Sequence, residues 1–337
     1  MTFQSGLKLL TTITAVAVGA VGAAYLRVVP RSDAALGSLA DVTSAEGKAL
    51  VARFYPRSPD SHIVQTPVGS TYYRLLGPVD GRRVACIHGI SGSWASMPQV
   101  SESLARRGFR VVEYDLFGRG YSSSPGRKYD AALYVDQLHS LLDHLDWDTT
   151  DILGYSLGGG IGVAFANQFP DRVKLLYLVA PSGLMDDIPL AGKLLGVPII
   201  GPVFTYTFGR SILAKRSVAN FSPGIETQPH MLHFVGVQML NIIHNPGFIR
   251  AYASSVQYGP IRNMHEIYEK VGKLFGNRIC CVWDAKFVPL EGARHSILQE
   301  DCEKVLDPIS DFFSFHNSIV GAIAVDITPE FDNIRVN

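Results

Sequence analysis

The chain has 337 residues, with 30 Lys+Arg against 30 Asp+Glu, 47% apolar and only 18% charged residues. That composition can bury a large core, which excludes a disordered chain, and zero formal net charge argues against a nucleic-acid partner, which calls for a basic face. Four cysteines, with Cys280 and Cys281 adjacent and no CxxC pair, make neither a disulfide scaffold nor a zinc site.

Residues 9–26 (LLTTITAVAVGAVGAAYL) carry no charge and are flanked by Lys8, Arg27 and Arg31. As a helix this run would extend about 27 Å, enough to cross a hydrocarbon core with little tilt. The favoured expectation is a single-pass membrane anchor within 1–31. A cleaved signal peptide competes with it, because Gly22-Ala23-Ala24 offers small residues for a cleavage site, and would leave the chain secreted or in an organelle lumen. Residues 32–61 read as a polar connector with short helical stretches.

From residue 62 apolar runs alternate with amphipathic stretches. Ser70–Leu76, Arg83–His88, Arg110–Leu116, Asp151–Tyr155 and Val173–Ala180 read as strands; Ser101–Arg107, Ala131–Leu145 and Gly158–Phe169 read as helices. Near-continuous apolar strands separated by helices predict an α/β fold: a mostly parallel sheet covered on both faces, with its active edge at the strand C-termini. Residues 182–268 break the rhythm and read as short helices (Leu190–Leu195, Ser211–Lys215, His230–Ile243, Ile261–Val271). Residues 316–337 follow the last expected helix and carry no functional signal.

Gly154-Tyr155-Ser156-Leu157-Gly158 matches G-x-S-x-G and lies between a strand and a glycine-rich helix. There the glycines permit a tight turn that lifts the serine hydroxyl above the sheet edge. The run Gly158–Gly162 is not a dinucleotide fingerprint, and no phosphate-binding G-x-x-x-x-G-K-[ST] occurs. His230 and His233 share a helix face without a third ligand, so neither a metal nor a cofactor is expected. A serine at its ordinary pKa needs a base. His295 follows a glycine turn after the strand-like run Phe287–Leu290 and precedes a helix, which makes it the candidate base.

Four further motifs occur with the serine motif: His88-Gly89-Ile90, the stretch Asp115 to Ser122 (DLFGRGYS), Phe169-Pro170-Asp171-Arg172-Val173, and Gly292-Ala293-Arg294-His295-Ser296. In this order they resemble the α/β-hydrolase superfamily over residues 62–315, and the chain is similar to its lid-bearing, monoacylglycerol-lipase-like serine hydrolases. The resemblance implies a core in two parts, 62–181 and 269–315, with a helical lid at 182–268. It implies Ser156 as nucleophile, His295 as base, and the backbone N–H groups of Ile90 and Leu157 as the oxyanion hole. Two such donors matter because attack on a carbonyl develops negative charge on oxygen, and each lowers the barrier by roughly 3 kcal/mol. Asp115 to Ser122 reads as architecture rather than chemistry.

In the superfamily the acid follows the strand before the base's strand. Here Asp284 takes that place, but only Asp284, Ala285 and Lys286 separate the strand Arg278–Trp283 from Phe287–Leu290. Three extended residues reach about 10 Å. Parallel neighbours need a crossover of about a dozen residues or more. Either roughly twenty residues are missing at this junction, or one strand is sacrificed, or the two runs form an antiparallel hairpin that would carry His295 away from Ser156. Asp284 is the best acid candidate; Asp186 or Asp187 is the alternative. The expected reaction is hydrolysis of a small-molecule or lipid carboxylic ester, the apolar lid sequence favouring an apolar acyl group. Epoxide hydrolases and haloalkane dehalogenases are disfavoured, since they carry Asp where Ser156 stands; carbon–carbon hydrolases and peptidases share the serine. The competing reading is a membrane-tethered binding protein of the same fold that has lost the acid.

Overall fold

The computed structural model describes residues 29–30, 35–187, 190–219 and 229–282, with two further helical positions, Ile309 and Phe312. The expected anchor 9–26, the candidate acid Asp284, the candidate base His295 and the tail 316–337 lie outside the described residues. Among the described residues no helix is long and apolar enough to cross a membrane.

The first helix, α1 (Ala45–Phe54), is capped by Ser44, whose hydroxyl accepts from Gly47 N–H. Two strands follow, β1 (Ser61–Gln65) and β2 (Ser70–Leu76), joined as an antiparallel hairpin. The chain then alternates: β3 (Arg82–Ile87), α2 (Pro98–Arg106), β4 (Phe109–Tyr114), α3 (Ala131–His144), β5 (Thr150–Tyr155), α4 (Leu157–Gln168), β6 (Val173–Val179). A helical insertion comes next, with α5 (Leu190–Leu195), α6 (Ile200–Phe204), a π-helical turn at Thr205–Gly209, α7 (Arg210–Ala219), α8 (Pro229–His244) and α9 (Phe248–Tyr258). The described core closes with α10 (His265–Phe275) and β7 (Ile279–Val282).

The strands form one sheet in the order β1-β2-β4-β3-β5-β6-β7, parallel from β4 through β7. From β3 the chain steps one way to β4, then crosses back to β5 on the other side. That reversal opens a crevice beyond the C-terminal ends of β3 and β5, where ligands of such sheets bind. Val84, Cys86, Val111, Leu153 and Tyr177 face one layer with α2 and the positions Ile309 and Phe312. Ala85, Ile87, Val112 and Ile152 face the other, against α3, α4 and α10. Each buried aliphatic side chain contributes about 1.5–3 kcal/mol.

Three expectations change. The 32–61 segment is more than a connector: Leu39 and Tyr55 are buried with Tyr72, Ala95, Tyr121, Val237 and Leu240. Helix α9 is absent from the sequence reading, because Ala251, Ala253, Ser254 and Ser255 dilute its apolar stripe, although Phe248, Ile249 and Ala251 are buried. The helix expected at Ile261–Val271 starts instead at His265. The backbone before it is a turn bonded to Gly183 through Ile261 O and Met264 N, with Asn263 at φ 56°.

Candidate active site

Ser156 sits between β5 and α4 with φ 54° and ψ −116°, a conformation in which a side chain is strained. Its backbone is tied down on three sides. Its N–H donates to Val179 O at 3.0 Å, and its carbonyl accepts from Gly159 N–H and Ser182 N–H, each at 2.9 Å. The turn needs its glycines. A Cβ at Gly154 would lie 2.5 Å from Gly158 O, and one at Gly158 would lie 2.0 Å from Ile87 O. Ser156 is 7% exposed, so the residue is buried rather than on open surface.

The His88-Gly89-Ile90 turn lies directly against the elbow: a Cβ at Gly89 would approach Ser156 Cβ to 3.2 Å. His88 is fully buried, and burial is the main cause that lowers its pKa to about 3, with the Arg119 charge adding to it and the bond to Gly89 O opposing it. Its tautomer follows from its partners. Leu116 N–H donates to Nε2 at 3.0 Å, so Nδ1 carries the hydrogen and donates to Gly89 O at 2.7 Å. Gly92 N–H also donates to Gly89 O, at 3.1 Å. Because a trans peptide is planar, holding Gly89 O also aims the Ile90 N–H of the same peptide. Leu157 opens α4, so its N–H is one of the four that a helix leaves without an intrahelical acceptor. The structure thus sets the turn that carries Ile90 against Ser156 through Gly89, and Leu157 follows Ser156 at the start of α4. Asp284 and His295 cannot be placed with them, since both lie outside the described residues.

The alternative acids have other partners. Asp186 accepts from His265 Nε2 at 2.9 Å on the surface, and Asp187 pairs with Lys193. His233 is exposed beside Phe54, and among the described residues no cluster of three potential metal ligands occurs.

Asp115 to Ser122 forms a buried loop behind the turn. Asp115 accepts from Tyr55 OH at 2.6 Å, Trp94 N–H at 3.0 Å and Tyr121 N–H at 2.8 Å; burial nevertheless pushes its pKa up to about 7. Glu113, on the same strand face, is also pushed up to about 7 by burial, which outweighs the Arg74 guanidinium 2.9 Å away. A carboxyl whose folded pKa is raised gives its stability below the unfolded pKa and loses it as pH rises through the folded one. Urea unfolding should therefore show Glu113→Gln gaining on wild type by roughly 1–3 kcal/mol between pH 4.5 and pH 8. A constant difference across that range would contradict the assignment. Sequence reasoning missed Arg119, which is fully buried and donates to Ile90 O at 3.1 Å. The only signal was an unusually placed charge between Gly118 and Gly120.

A family profile described as the alpha/beta hydrolase fold matches residues 82–198, the stretch that holds both the turn and the elbow. Over that stretch the chain is similar to the α/β-hydrolase superfamily. It resembles an uncharacterized protein of Mycobacterium tuberculosis (36% identical over 127 residues, 38% of this chain and 36% of that protein). It also resembles the 2-hydroxy-6-oxo-2,4-heptadienoate hydrolase of Pseudomonas putida (37% over 109 residues, 31% of this chain and 39% of that protein). The matched stretch therefore spans little more than a third of these relatives' own length. In fold, the chain resembles the enol-lactonase from Burkholderia xenovorans LB400, with a TM-score of 0.62 and 17% identity, covering 75% of this chain and all of that one.

Proposed function

We propose that the protein is a serine hydrolase of carboxylic esters with an apolar acyl part. The observation that carries this reading is the strained elbow. Glycine would hold the backbone of Ser156 with less strain, so a side chain there has a purpose other than packing. In this reading Ser156 Oγ attacks the acyl carbon as the carbonyl electrons move onto oxygen. The N–H groups of Ile90 and Leu157 hold that oxyanion. His295 takes the hydroxyl proton and gives it to the departing alcohol, and water then releases the acyl group by the reverse sequence. Asp284 is the candidate to orient His295. A lactonase and a hydrolase among the similar proteins support hydrolytic chemistry. Leu190 (83% exposed), Ile199, Ile200 and Phe208 give the insertion an exposed apolar surface suited to an apolar ester, and the uncharged run 9–26 supports membrane attachment.

The test is turnover of p-nitrophenyl acetate, butyrate and octanoate by the full chain. kcat/KM should rise from acetate to butyrate by roughly tenfold, at about 0.8 kcal/mol per buried methylene. Rates that fall with acyl length would overturn the apolar preference. One observation favours a second reading, a binding protein without turnover. Strand β7 runs parallel to β6, and only Asp284, Ala285 and Lys286 separate the strand expected at Arg278–Trp283 from the apolar run 287–290, too few for a parallel crossover. Folded protein that turns over none of the three esters would favour it.

A further inference from the structure

We propose that Arg119 positions the oxyanion turn and links it to helix α9 of the insertion. The guanidinium is fully buried, and among the described residues no carboxylate pairs with it. Burying an unpaired charge is costly, so its geometry needs a reason beyond packing. Nε donates to Ile90 O at 3.1 Å, Nη1 to Phe117 O at 2.9 Å and to Tyr134 OH at 2.7 Å, and Nη2 to Ser255 Oγ at 3.0 Å. The hydroxyls continue the chain: Tyr134 OH donates to Ser255 Oγ at 2.7 Å, and Ser255 Oγ donates to Ala251 O at 2.6 Å. One rigid fork thus joins the oxyanion turn, α3 and α9.

Its effect on the turn is geometric. His88 fixes the peptide before the Ile90 Cα by holding Gly89 O, and Arg119 fixes the peptide after it by holding Ile90 O. With both planes held, the Ile90 N–H has one direction, and a donor aimed before reaction begins is what oxyanion stabilisation requires. The next residue, Gly120, is also held by the insertion: its N–H donates to Asn241 Oδ1 at 2.8 Å and its carbonyl accepts from Asn245 Nδ2 at 3.3 Å. The position of the insertion and the aim of the hole are therefore coupled. The catalytic consequence rests on the serine-hydrolase reading; the structural coupling does not.

The test compares the full chain with Arg119→Met, Arg119→Lys and Ser255→Ala. Amide hydrogen–deuterium exchange over residues 88–92 should rise in Arg119→Met by about tenfold or more while β5 stays at the wild-type rate. On p-nitrophenyl butyrate, kcat should fall roughly 10- to 100-fold with KM within about twofold, because the interaction acts in the transition state. Arg119→Lys keeps the charge but cannot span Ile90 and Ser255, so it should not restore kcat. Ser255→Ala should shift both readouts in the same direction by roughly two- to fivefold, and it carries the test if Arg119→Met does not fold. Unchanged exchange at 88–92, a uniform rise across the sheet, or a Ser255→Ala variant identical to wild type would overturn the proposal. If wild type turns over no ester, the hydrolase reading fails and the exchange measurement alone decides the coupling.

Discussion

Ser156→Ala is expected to lower kcat/KM on p-nitrophenyl butyrate by about 10³-fold or more, with Tm within about 2 °C of wild type. The two halves of this expectation have different causes. The hydroxyl is the proposed nucleophile, and with it gone water must attack the ester without a covalent intermediate. The backbone is unaffected, since alanine meets the same strain at φ 54° as serine does. Ser156→Gly separates these effects further. It should be equally inactive yet more stable by about 1 kcal/mol, because glycine enters this conformation freely. Activity measured beside urea unfolding checks both halves. A Ser156→Ala variant that keeps its activity would remove the serine from the reaction.

Gly158→Val should destabilise the fold by about 3 kcal/mol or more, or prevent folding. A Cβ at Gly158 would lie 2.0 Å from Ile87 O and 2.9 Å from His88 O, both backbone atoms of the strand that leads into the oxyanion turn. Neither can move aside as a flexible side chain would. Helix α4 would have to lift off β3, taking the Leu157 N–H away from the Ile90 N–H. The control is Gly272→Ala on α10, where an added Cβ meets nothing within 4 Å and Ala should gain roughly 0.5–1 kcal/mol. Equal stability of Gly158→Val and wild type would show that α4 is not held against the strand end.

Sequence and structure agree best where one physical signal dominates. β3, β4, β5 and β6 were legible because central parallel strands are apolar on both faces, and β5 is buried along its whole length. Ser156 was legible because its glycines are the residues that a close approach of α4 to β3 demands. The hairpin strand β1 was not, since three of its five residues face solvent. Helix α9 hid behind small residues, and the start of α10 was displaced by backbone bonds to Gly183 that join positions far apart in the chain. Arg119 was grouped with the loop architecture of Asp115 to Ser122. Its bonds to Ile90, Tyr134 and Ser255 arise from tertiary packing, to which local pattern is blind.

The central claim is that Ser156 is an activated nucleophile, and the most direct measurement is intact-mass analysis of the folded full chain after reaction with a fluorophosphonate. Expected is one phosphonyl group per chain, located on the peptide that contains Ser156, slowed in Arg119→Met and absent in Ser156→Ala. Folded protein that stays unlabelled, or a label that persists in Ser156→Ala, would contradict it.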